Sequence, residues 1–87
     1  MDEDALAACC RFPTRAGAIV ELSVRDEEFR DLCADFATAE AELHRWRGSN
    51  HVLRDQRVSE YAVLVEALAG EIVSMLENAS VVPFPRR

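Results

Sequence analysis

In residues 26–46, DEEFRDLCADFATAEAELHRW, the apolar side chains fall at Phe29, Leu32, Phe36, Ala39, Leu43 and Trp46, with gaps alternating between three and four. That spacing lays a single apolar stripe along one side of an α-helix and is incompatible with the two-residue period of a strand. A second stretch keeps the same rhythm at Val58, Tyr61, Val65, Leu68, Ile72 and Met75. Two matched stripes joined by a short polar link predict an all-α fold, an antiparallel helical hairpin of about 26–47 and 52–78.

The boundaries have local chemistry. Ser23 and Asp26 are both placed to cap the first long helix, and Glu27 and Glu28 suit its positive first turn. His44, Arg45 and Arg47 suit its negative end, and Gly48 sits where a left-handed closing residue is common. Ser49 or Asn50 can cap the second long helix, which starts between Asn50 and Asp55. Upstream, LAACCRF reads as a short helical turn resting on Leu6, Cys9, Cys10 and Phe12 and ended by Pro13. Residues 15–24 read as helix from Thr14, with Ile19, Val20 and Leu22 buried; the same letters also alternate as a strand would, and helix is preferred. The chain of 87 residues is one domain, with flexible ends expected near 1–5 and 80–87, the last of which holds Phe84 between two prolines.

The second stripe is too wide for one partner helix. Ala62, Leu64, Ala69, Val73 and Leu76 flank it, and 49% of the chain is apolar, more than a lone hairpin can hide. The expected interface is Tyr61, Leu64, Val65, Leu68, Ile72, Val73, Met75 and Leu76, and the expected assembly is a homodimer forming a four-helix bundle.

Charge narrows the function. The net charge is -6, and all ten basic residues are Arg. Without lysine there is no ammonium for Schiff-base or phosphate-loop chemistry, and an acidic chain repels nucleic acid. Arg45, Arg47, Arg54 and Arg57 nevertheless cluster around the turn between the two helices, a basic tip on an acidic rod. They are candidates for polar contact, with a nucleic-acid-binding regulator as an alternative function. Cys9, Cys10 and Cys33 are an odd number without metal-ligand spacing; a reducing, cytoplasmic location suits them, and a thiol or metal sensor at Cys9/Cys10 is the further alternative. Asp31 with Asp35, and Glu40 with His44, stand four apart as any solvated helix surface does. No nucleophile elbow or glycine-rich loop is present, and no apolar run approaches the roughly 20 residues of a membrane span.

The run from Arg25 to Phe36, RDEEFRDLCADF, resembles a motif of small uncharacterised bacterial helical-hairpin proteins that reads R-D-x-x-F-R-x-L-C-x-D-aromatic. The resemblance implies a helical fold and carries no activity. The expected function is a small protein–protein interaction or adaptor and regulatory protein. It is expected to self-associate through its hairpin, with an unidentified protein partner, no catalytic activity and no cofactor, metal, nucleic acid or membrane.

Overall fold

The stretch with two readings is helical. The computed structural model describes residues 3–80 and shows α1 at Glu3–Arg11, a 3₁₀ turn at Pro13–Arg15, α2 at Ala16–Arg25, α3 at Glu27–Arg47 and α4 at Arg54–Ser80. No strand occurs among the described residues, and the helices pack together around one core. The expectations for residues 1–2 and 81–87, Phe84 included, lie outside the described residues; α1 begins at Glu3, within the stretch read as an end.

The two upstream segments read as helical are two helices, parted at Pro13. Pro13 lacks an N–H and drives Phe12 out of the helical region, to φ -124 and ψ 67. The chain turns there and restarts through Arg15 N–H donating to Phe12 O at 2.9 Å. The buried stripe of α1 is also not the bulky one: Ala5, Ala8 and Cys9 are buried, whereas Leu6 and Cys10 face solvent. Residues 5, 8, 9 and 12 share one helix face, and its small side chains let α1 lie close on α3.

One residue separates α2 from α3. Asp26 is extended, at φ -127 and ψ 108, and its Oδ1 accepts the Phe29 N–H at 3.2 Å, so Asp26 is the cap. Ser23 is buried in α2, its hydroxyl donating to Val20 O at 2.9 Å.

α3 buries Phe29, Leu32, Cys33, Phe36, Ala39 and Leu43, the expected stripe plus Cys33. On α4 the fully buried residues are Val65, Ala69, Ile72 and Leu76, while Tyr61, Leu68 and Met75 are half-buried. The core stripe of α4 is thus turned from Leu68 and Met75 toward Ala69 and Leu76. The cause is the N-terminal pair of helices: α2 packs against α4 beside Leu76, and α1 reaches α4 through Arg11 on Glu66. Both sit on one side of the hairpin and draw the buried stripe toward themselves.

The tip closes without a left-handed glycine. Gly48 has φ -91 and ψ 3. Instead, Arg54 reaches back and donates two hydrogen bonds to Arg47 O, at 3.1 and 2.9 Å, satisfying a carbonyl at the end of α3. Ser49 Oγ accepts from His51 N–H and His51 Nδ1 from Leu53 N–H, both at 3.0 Å, so these side chains order the loop.

Candidate functional site: the open face of the hairpin

Glu66 and Leu68 are two positions apart on α4, which places them on roughly opposite sides of it. Glu66 is on the side where α1 packs, held by Arg11. Leu68 looks into a groove between α3 and α4 walled by Asp35, Thr38, Ala39, Glu42, Tyr61, Leu64 and Leu68. The groove runs on toward the tip between Glu42, Arg45 and Trp46 of α3 and Arg57, Glu60, Tyr61 and Leu64 of α4. The two stretches share Glu42, Tyr61 and Leu64, so they form one continuous channel to which α1 and α2 contribute no residue.

The walls run antiparallel: Asp35, Thr38 and Ala39 share one stretch with Leu64 and Leu68, and Arg45 and Trp46 share the other with Arg57 and Glu60. The floor is apolar and the rim is charged. Leu64 is 43% exposed at the centre, beside half-buried Tyr61 and Leu68. On the rim Arg45 donates to Glu42, and Arg57 donates to Glu60 at 2.7 Å. The hydrogen bonds from Arg45 to Glu42, and from Arg57 and Gln56 to Glu60, hold both carboxyls below the ordinary glutamate range. These pairs are solvent-exposed, so they order the rim more than they stabilise the fold.

The expected interface residues divide three ways. Val65, Ile72 and Leu76 are consumed by the chain's own core. Tyr61, Leu64 and Leu68 line the groove, and half-buried Met75 lies seven residues, two helical turns, beyond Leu68 on the same side. Val73 is half-buried and shares the flank of Glu66, away from the groove. Sequence reasoning missed the α3 wall, namely Asp35, Thr38 and Glu42. The signal was available, because all three are set one helix position beside the Ala39 stripe.

The four arginines of the tip do not converge. Arg45 and Arg57 belong to the groove rim, whereas Arg47 and Arg54 belong to the loop, where Arg54 also meets Asp55 at 2.9 Å. Trp46 stands edge-on to His51, ring centroids 5.6 Å apart, with the Arg45 guanidinium 5.8 Å from its ring centre. Cys9 is buried with Sγ 3.8 Å from Ala16 O, and burial first, then neighbouring Cys10, pushes its thiol above the ordinary range. Cys10 is exposed and Cys33 buried. Among the described residues no group of three or more His, Cys, Asp or Glu side chains is placed to hold a metal ion. No helix of the described residues is long and apolar enough to cross a membrane. No protein-family model, no curated protein and no solved structure matches the chain.

Proposed function

We propose that this chain is a small interaction protein that works by binding and not by catalysis, and that it self-associates through the open face of its α3–α4 hairpin. The observation that carries the reading is the continuous groove holding Tyr61, Leu64 and Leu68, on the side of the hairpin that α1 and α2 leave uncovered. Burying an apolar channel of this kind removes its surface from water at about 25 cal/mol per Å². Two hairpins packed through these faces make a four-helix bundle, with α1 and α2 as flanking layers. Such a dimer acts as an adaptor or regulator by presenting its outer surface to a further protein. The cytoplasm is the proposed location, where reduced thiols at Cys9 and Cys10 persist.

Nucleic acid is not a partner in this reading. The net charge of -6 opposes a phosphate backbone, and Arg54, committed to closing the loop, leaves too few tip guanidinium groups to offset it.

Neighbouring residues on different faces of α4 provide the test. Val63 is 71% exposed and is absent from the groove walls, whereas Leu64 lines them. Leu64→Glu is expected to shift the chain from dimer to monomer in size-exclusion chromatography with light scattering, and Val63→Glu to leave it dimeric. Equal behaviour of the two variants contradicts the assignment of the groove.

A further inference from the structure

We propose that the occupant of the groove is a second copy of the chain lying antiparallel to the first, with Arg45 and Arg57 of each tip facing Asp31 and Asp35 of the other. This rests on the self-association proposed above and adds its direction and register.

The argument is one of charge and length. Asp35 forms the groove wall at the end away from the tip. Asp31 and Glu28 lie four and seven residues before it, on the same helix face, and both are exposed. Asp35 therefore closes the channel's far end, and Asp31 and Glu28 carry its negative charge on along the same face of α3, while Arg30 pairs with Glu27 at 3.6 Å. The tip end carries the guanidinium groups of Arg45 and Arg57. Their partners Glu42 and Glu60 neutralise them but leave no excess negative charge, so the channel runs from strongly acidic to balanced.

A parallel pair would stack the acidic ends, with Glu28, Asp31 and Asp35 of both copies together. An antiparallel pair separates them and sets each against arginine, and unlike charge across an interface selects orientation and register. The spacing agrees. Take a two-fold axis through the level of Ala39 and Leu64. Arg45 and Arg57 then lie six and seven residues to one side, about 9 and 10 Å at the helical rise, and Asp35 and Asp31 lie about 6 and 12 Å to the other. The basic pair is then centred about 10 Å and the acidic pair about 9 Å from the axis, near enough to face each other across a two-fold interface. At the axis Leu64 meets its own copy, flanked by Tyr61 and Leu68. The arginines keep their intrachain glutamates and add the facing aspartates, converting two exposed pairs into a network.

Charge reversal tests the proposal. The chains compared by sedimentation equilibrium are the parent, Arg45→Glu/Arg57→Glu, Asp31→Arg/Asp35→Arg, and a chain with all four changes, each checked for helicity by circular dichroism. Each double reversal is expected to weaken the dimer about tenfold or more, through like charges facing at both symmetric contacts. The four-change chain restores opposite charge at both and is expected to return to within about threefold of the parent on the same grounds. In a parallel dimer each reversed residue faces its own copy, so the four-change chain sets four tip carboxylates against four and is not expected to recover. A parent dimer whose constant does not move with the reversals overturns the antiparallel register and leaves self-association standing. So does a four-change chain as weak as the double reversals. A parent chain that is monomeric overturns both.

Discussion

Arg11, the last residue of α1, holds Glu66 in the middle of α4, its Nη2 donating to Oε1 at 2.9 Å and to Oε2 at 2.8 Å. The other ion pairs among the described residues join positions one to four apart in sequence. This one joins the N-terminal helices to the far arm of the hairpin, and so marks which side of α4 they cover. Its energy is small, since the Glu66 side chain is 67% exposed. A double-mutant cycle on Arg11→Ala and Glu66→Ala is expected to give a coupling of about 0.2–1 kcal/mol in urea unfolding, the range of exposed pairs. A coupling several times larger would mean that the pair holds α1 in place unaided.

Phe36 is fully buried at the centre of α3, between Leu32 and Leu43. Truncation leaves a cavity that the helix backbone cannot fill, so Phe36→Ala is expected to cost about 3–5 kcal/mol. In a small domain that is a large part of the total stability. Thermal unfolding within a few degrees of the parent would show that the core of α3 is elsewhere.

Gly70 lies inside α4, exposed, with nothing within 4 Å of an added Cβ. Gly70→Ala should therefore stabilise the chain by about 0.4–1 kcal/mol, because alanine restricts the unfolded chain and favours helix. Gly48 has a negative φ, and an added Cβ would meet only Arg45 O at 3.8 Å. Gly48→Ala is accordingly expected to be neutral or mildly stabilising. A loss above about 1 kcal/mol, as a left-handed glycine would give, would contradict the observed closure of the tip.

The thiols should differ in reactivity. Cys10 is exposed, whereas Cys9 and Cys33 are buried, so a thiol reagent is expected to modify Cys10 rapidly and the other two only through opening of the fold. Burial also raises the Cys9 pKa in the folded state. The unfolded chain then loses its thiol proton first as pH rises. The stability contributed by Cys9 is full below the ordinary thiol pKa and is lost as pH climbs through the raised one. Melting temperatures taken from neutral to alkaline pH should fall more steeply for the parent than for Cys9→Ala. Identical slopes would place the Cys9 thiol in water.

Much of this architecture is legible in the letters because helical periodicity is a local signal. The run from Arg25 to Phe36 is a compact case: Asp26 is the helix cap, and Phe29, Leu32, Cys33 and Phe36 are its core face. The rotation of α4 was not legible, since Leu68 and Ala69 both fit a stripe and only the docking of α1 and α2 decides between them. Small residues misled for a related reason. Ala5 and Ala8 outrank Leu6 in burial because close helix contact selects small side chains, a preference that pattern reading does not see. The tip arginines looked like one cluster because they are near in sequence, yet Glu42 and Glu60 draw Arg45 and Arg57 to the groove while the Arg47 carbonyl draws Arg54 to the loop.

Sedimentation equilibrium of the unmodified chain, across a dilution series through the micromolar range, tests the central claim most directly. The open face between α3 and α4 predicts a mass near twice the 9.7 kDa of one chain, falling toward one chain on dilution. A mass of one chain at every concentration, with helicity and a cooperative melt intact, would contradict it.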